Sequence, residues 1–455
     1  MSGSETTPRG APLTTNQEFL CMFDKGPDQG VFGPRHIVAC GWRITGKVDS
    51  DALRDALHDV VVRHEALRTT IARDVEPPYQ LVHPPATPEL AEYELTGSDP
   101  DARETAAHEF VNRIEAGRCP VDEQPLLRAA LGRFDDEDAV LVLYAHHTVS
   151  DGWSLQILIR DLAQFYAARR GFGEPDLPDM AQYGEYAVWQ QEYLASAPVA
   201  EARAYWRDKL AGASFVPLAT DRTRTDATGQ YSVHRFLIDR ETTAATHLVA
   251  KQLRCSPFMV LFAAFTLLAH RTTGATDLTL PTITSGRNNP TFNETVGPLF
   301  NFMPLRTDVS DCRDFKDLVT KIRGTCLEMY SYEIPFGEIV AEAPQVVAPF
   351  ADLDCAVQAF QCFQFPVGTD GTPVGDLKIA EMRRRLLSDP NTSDIPDGVV
   401  WALDIDPDGD IICSIRFNSN DFDEATLVEL ATGYVDLLRT VTTDVTTPLD
   451  APLAA

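Results

Sequence analysis

Residues 140–166, VLVLYAHHTVSDGWSLQILIRDLAQFY, and residues 411–438, IICSIRFNSNDFDEATLVELATGYVDLL, share one pattern. Each is an apolar run of strand length, a short polar loop with an aspartate, and a helix-length segment with an apolar stripe. In the first helix Leu155, Leu158, Ile159, Leu162 and Tyr166 mark that stripe. Such a unit needs a partner layer to bury its apolar face, so two copies predict two lobes of one α/β architecture. The copies differ in their loops. The first carries His146, His147 and Asp151, whereas the second carries Asn418, Ser419 and Asp421. Imidazole chemistry is therefore expected in one lobe only.

A chain of 455 residues exceeds one ordinary core and suits two domains of roughly 200 residues each. Strands are expected over 36–45, 67–73, 79–83, 126–134 and 139–145, with helices over 49–64, 101–116 and 154–170. The Gly/Pro-rich stretch GFGEPDLPD, residues 171–179, reads as the lobe boundary. It divides the chain into an N-terminal lobe, 1–175, and a C-terminal lobe, 176–455. Two helical segments containing Trp189 and Tyr205–Trp206 open the second part. Strands follow near 231–238, 278–284, 300–307, 399–405 and 411–417, and helices near 240–253, 257–271, 314–332 and 423–440.

Charge excludes several function classes. Lys and Arg total 39 against 67 Asp and Glu, a net charge of −28. So acidic a surface repels nucleic acid and anionic membranes. The N-terminus, MSGSETTPRGAPLTTNQ, lacks a signal peptide's apolar run, and no apolar stretch approaches the ~18 residues of a membrane span. Nine scattered cysteines, never spaced CxxC, read as reduced, buried thiols. Together these point to a cytoplasmic protein.

The adjacent histidines have three readings. A metal site is disfavoured: successive strand side chains point to opposite faces, and no further His, Cys or acidic cluster has ligand spacing. Proton transfer suits an imidazole whose ordinary pKa is near 6.5. A pair of satisfied strand-end residues is the structural alternative. Asp151 has two jobs open to it, capping the following helix or pairing with a distant arginine. Gly152 would permit a backbone conformation closed to other residues.

The run His146-His147-Thr148-Val149-Ser150-Asp151-Gly152 matches HHxxxDG, and in this it resembles the condensation domains of nonribosomal peptide synthetases and related acyltransferases. Other stretches resemble that family in the same order. They are LTTNQEFL from Leu13, RHEALRTTI from Arg63, YGEYAVWQQEYL, YWRDKLAG, TSGRNNP around Arg287, and VGPLFNFMPLR from Val296. EIPFGEIV from Glu333 is similar to the family's PFE-type segment, although Gly337 interrupts it. The resemblance covers essentially the whole chain.

It implies two chloramphenicol-acetyltransferase-like lobes in a V, with a tunnel entered from both faces by carrier-protein phosphopantetheine arms. The motif residues carried over as catalytic are His147, His146, Asp151 and Gly152. His147 is expected to face the tunnel centre and accept or orient a proton, with His146 supporting it. Asp151 is expected to brace the loop, with Arg287 its candidate partner. The Gly152 N–H is a candidate to polarise the thioester carbonyl. Arg287, Asn301 and Arg63 are carried over as supporting residues.

The bland readings stand beside these. Arg63 and Arg68 read as solvated helix-end charges, Asn301 as a backbone-bonding residue, and Trp153 as packing. Met382-Arg383-Arg384-Arg385 reads as a solvated basic loop, or else as a lure for an acidic carrier protein.

The implied activity is attack of an amine or alcohol on an acyl thioester held by a peptidyl carrier protein, forming an amide or ester. Such chemistry belongs to antibiotic and other natural-product biosynthesis. No adenylation or carrier module fits into the chain, so it resembles free-standing condensation enzymes, including those of enediyne biosynthesis. No bound cofactor or metal is expected, because the pantetheine belongs to the partner. One rival is an epimerisation domain, which would need a further acid such as Glu294. Another is a non-catalytic recruitment domain that binds carriers or oxygenases.

Overall fold

The computed structural model describes residues 9–225, 228–364, 371, 373–406 and 409–451. Residues 1–8, the start of the polar terminus read as lacking a signal peptide, lie outside the described residues.

Two mixed sheets organise the chain, and their central strands correspond one for one. In the first, Ile37–Thr45 pairs antiparallel with Asp138–His146, which pairs antiparallel with Leu127–Arg133, which runs parallel to Leu90–Glu94. In the second, Tyr231–Ile238 pairs antiparallel with Ile411–Asn418, which pairs antiparallel with Val399–Ile405, which runs parallel to Cys355–Phe363. The likeness seen in two loops thus extends through four strands of each sheet.

Each sheet has its own core. The strand Asp138–His146 is buried at every residue after the first, which is why it reads as a continuous apolar run rather than an alternating one. Trp42, Leu141 and Phe110 pack the first core; Trp401, Phe360 and Tyr434 pack the second. The helix after each HHxxxDG-like loop, Gly152–Arg169 or Glu424–Thr443, lays its apolar stripe on its own sheet.

Chain exchange blurs the boundary expected between residues 175 and 176. The stretch 171–179 is a loop between the helices Gly152–Arg169 and Tyr183–Leu194. However, Leu377–Glu381 pairs with Ile37–Thr45, so a strand from the second part extends the first sheet. Phe292, Val296 and Leu299 also pack in the first core, while Phe19 packs in the second. Gly and Pro punctuate loops; they carry no record of which sheet a later strand joins. Cys355–Phe363, a central strand of the second sheet, is a further element absent from the sequence expectations.

Candidate active site

The first sheet delivers the loop to a junction between lobes. The strand Asp138–His146 ends, five residues turn, and the helix begins at Gly152. A cavity of about 340 Å³ opens here. Its lining includes His36, His147, Gly152 and Trp153 from the first part and Arg287, Phe300 and Arg416 from the second.

The two histidines have separate surroundings. His146 is fully buried. Its Nδ1 lies 2.8 Å from the Thr148 hydroxyl and its Nε2 3.0 Å from the Gly33 carbonyl. Burial pushes its pKa down to about 4, against the Gly33 carbonyl. His147 is only partly covered and lines the cavity. Its Nδ1 is 2.8 Å from the Ser150 carbonyl. A carbonyl can only accept, so Nδ1 carries the proton and neutral Nε2 presents a lone pair. Burial lowers the His147 pKa too, while Asp151 and the Ser150 carbonyl oppose the shift.

A third imidazole, absent from the sequence expectations, completes the group. The antiparallel pairing of Ile37 with His146 brings His36 opposite His147, and the His147 N–H donates to the His36 carbonyl at 2.8 Å. The His36 and His147 rings stack, centroids 5.0 Å apart and planes 21° apart. His36 Nδ1 lies 3.0 Å from the Asp394 carbonyl, so its Nε2 is also unprotonated. Phe300 stands edge-on to His147 with centroids 5.2 Å apart.

Asp151 performs both jobs the sequence left open. Its Oδ1 accepts from the Ser154 N–H at 2.8 Å and the Ser154 hydroxyl at 2.7 Å, capping the helix. Arg287 donates to both its oxygens, at 2.9 and 3.1 Å, and the Leu299 N–H donates at 3.1 Å. The side chains are 7% and 2% exposed, so this ion pair is buried and joins the two parts of the chain. Burial alone would raise the Asp151 pKa, but the Arg287 guanidinium and Ser154 hold it below the usual carboxylate value. Gly286 makes the approach possible. Its φ is +64°, and a Cβ there would lie 1.7 Å from the Leu299 carbonyl oxygen.

The sequence profile of the condensation domain matches residues 12–453. The chain belongs to the condensation domain family. It is 28% identical over 437 residues to a linear gramicidin synthase of Brevibacillus parabrevis, covering 94% of this chain. That match spans only 8% of the relative, so the chain corresponds to a small part of it. Among solved structures it is similar to the SgcC5 protein from Streptomyces globisporus, with 40% identity, a TM-score of 0.93, and coverage of 96% of this chain and 100% of that one. The X-domain from teicoplanin biosynthesis shares the fold at 22% identity and TM-score 0.79, covering 98% of this chain and 97% of that one. The architecture is the paired chloramphenicol-acetyltransferase-like fold of condensation domains.

Within this condensation domain the remaining sequence candidates fall into place unevenly. Gly152 borders the cavity as the first residue of its helix. It is not among the positive-φ glycines, so the expected special backbone conformation is not adopted there. Asn301 lines a second, smaller cavity of about 200 Å³. Its side chain donates to the Ile334 carbonyl and accepts from the Phe336 N–H, both at 2.9 Å. Leu299, Phe300 and Asn301 are thus three successive residues that bind Asp151, flank His147 and anchor the 334–336 segment.

Arg63 lines neither cavity. Nor is it a solvated charge: it donates to fully buried Asp161 at 2.9 Å, beside His64 at 2.8 Å. Arg68 likewise bonds inward, to the Val61 and His83 carbonyls. Trp153 donates to the Asn293 carbonyl at 3.2 Å and lies over Arg287. Glu294 pairs with Arg160 at 2.6 Å rather than entering the cavity.

The Met382–Arg385 run is not a solvated loop. Arg383 pairs with Glu381 and Arg385 with Glu115, both largely buried, and only Arg384, on Asp410, is mostly exposed. Among the described residues no cluster of three His, Cys, Asp or Glu has metal-holding geometry, and no single helix is long and apolar enough to cross a membrane.

Proposed function

We propose that this condensation domain catalyses attack of an amine or alcohol on an acyl thioester presented on the phosphopantetheine arm of a peptidyl carrier protein. The support that carries this reading is His147. Its Nδ1 is committed to the Ser150 carbonyl, and Nε2 remains as a base in a cavity lined by both parts of the chain. A lowered pKa keeps the ring neutral at pH 7.

As the nucleophile's N or O attacks the thioester carbon, its proton passes to His147 Nε2. The C–S bond then breaks, the proton goes to the departing pantetheine thiolate, and an amide or ester remains. General-base assistance of this kind is typically worth ~10²–10⁴-fold, and holding two substrates together supplies further acceleration. Gly152, at a helix N-terminus beside His147, would favour the developing oxyanion. No metal or bound organic cofactor enters these steps.

We read the enzyme as acting in trans on its carrier, as the free-standing condensation enzymes of enediyne pathways do. The 40% identity to SgcC5 supports this. That relative was crystallised with (R)-(-)-1-(2-naphthyl)-1,2-ethanediol, a vicinal diol, which favours an alcohol acceptor and an ester product here.

The test is mass-spectrometric detection of product from a carrier-loaded acyl donor with an amine and with an alcohol acceptor. Product with wild type and its loss in His147→Ala are expected. Undiminished product in His147→Ala would overturn the reading. Racemisation of a carrier-bound aminoacyl group without acyl transfer would turn it into an epimerase.

A further inference from the structure

The larger cavity is lined by five arginines and four acids, and the group around Arg235, Arg385 and Arg416 is left unused by acyl transfer. Arg235, Arg385 and Arg416 converge on one carboxylate, Glu115, at 2.7, 2.6 and 2.6 Å. The three arginines line the cavity and Glu115, 3% exposed, does not. With Glu381 and Asp404 on the same lining, the four arginines Arg235, Arg383, Arg385 and Arg416 face three carboxylates including Glu115, a surplus of one positive charge that is costly to bury unless something answers it. Burial, with Arg385 and Arg416, pushes the Arg235 pKa down to about 9, while Glu115 opposes the shift.

Some guanidinium nitrogens of the cluster are buried without a partner among the described residues, out of solvent contact rather than open to the cavity. Arg383 lines the same cavity with 6% of its side chain exposed. It gives one nitrogen to Glu381 at 2.8 Å, while its Nε and Nη1 have no hydrogen-bond partner among the described residues. The Nε atoms of Arg385 and Arg416 are likewise unpartnered. Buried guanidinium nitrogens are ordinarily satisfied. Asp404, which also lines the cavity, is pushed up to about 6 by burial despite the pull of Arg383. Glu115 is the opposite case, its carboxylate held far below the usual range by its three arginines.

We propose that this arginine cluster receives a carboxylate carried by one of the two substrates, selecting a donor acyl chain or an acceptor that bears one. The proposal rests on the acyl-transfer reading above and names the substrate class. Guanidiniums bind carboxylates through paired, charge-assisted hydrogen bonds. Arg416 is also near enough to His147 to lower its proton affinity, so receptor and base share one cavity. A pantetheine phosphate is a poor occupant, because it lies at the far end of the arm whose thioester must reach His147.

Two measurements decide it. Calorimetry compares glutarate with glutaramide, which needs no turnover. Kinetics compares carrier-loaded succinyl with its methyl ester as donor, and 4-hydroxybutyrate with 4-hydroxybutanamide as acceptor. Wild type should favour the acid by at least about tenfold in binding and in kcat/KM in one arm, as expected for hydrogen bonds to a charged group. The arm that responds identifies which substrate carries the carboxylate. The preference should fall toward unity in Arg416→Gln, with a thermal melt establishing that the variant is folded.

Equal binding and equal kcat/KM for acid and neutral partners would overturn the proposal. So would an acid preference that survives in Arg416→Gln and Arg385→Gln. Selective glutarate binding with no product from any pair would instead count against the acyl-transfer reading and leave the anion site standing.

Discussion

The loop after Asp138–His146 and the loop after Ile411–Asn418 are the same length, each placing a helix start six residues beyond its strand. At that spacing His146 and His147 correspond to Asn418 and Ser419, and Asp151 corresponds to Asp423. Both aspartates are helix N-caps by position and both meet an arginine. Asp151 is 7% exposed, caps its helix through Ser154, and holds Arg287 from the other part of the chain. Asp423 is 65% exposed, makes no side-chain cap bond, and holds Arg222 at 2.7 Å. One backbone design therefore serves two ends. The first loop sits where Arg287, Leu299 and Phe300 reach it across the lobe junction, and there burial turns a cap and an ion pair into a brace for His147.

Breaking that brace should have the largest effect on stability. Arg287→Ala strands a buried carboxylate and should cost about 3–5 kcal/mol in denaturant unfolding. A loss under about 1 kcal/mol would make the first pair equivalent to the second.

Acid should come next. Unfolded histidine titrates near pH 6.5, whereas folded His146 titrates near 4, so below 6.5 the unfolded chain takes a proton the fold refuses. Stability is complete above about pH 6.5 and falls as pH drops toward 4, by about 3 kcal/mol from this group. The difference between wild type and His146→Asn unfolding curves at pH 7 and 4.5 isolates it from the carboxylates.

Gly286→Ala should cost about 1–3 kcal/mol for backbone strain at φ +64°. It should also lower acyl transfer by shifting Leu299 against Asp151. Smallest of all, Asp423→Ala should change stability by under about 1 kcal/mol, because its ion pair is exposed. A larger loss would mean the second loop is braced as firmly as the first.

Local pattern explains what could be read beforehand. Both strand–loop–helix units and the HHxxxDG run lie in short segments with their own periodicity or motif, whereas the Asp151–Arg287 pairing, 136 residues apart, was legible only through the family resemblance. The match of Asp151 to Asp421 went by loop content, whereas the equal spacing from strand end to helix start selects Asp423. His36 was hidden because its nearness to His147 depends on antiparallel register, which no window around either residue contains. Glu115 with Arg235, Arg385 and Arg416 draws on four distant segments, and acidic composition obscured an arginine-rich cavity. The exchange of Leu377–Glu381 into the first sheet was hidden for the same reason: strand partners are set by tertiary packing, not by the strand's own residues.

The central claim is that of two matching loops only the first performs chemistry, through His147. The direct measurement is the single-turnover rate of acyl transfer from a loaded carrier in His147→Ala and in Ser419→Ala, the residue at the corresponding position. His147→Ala should lose ~10²–10⁴-fold and Ser419→Ala should match wild type. Equal rates in all three proteins would contradict the assignment.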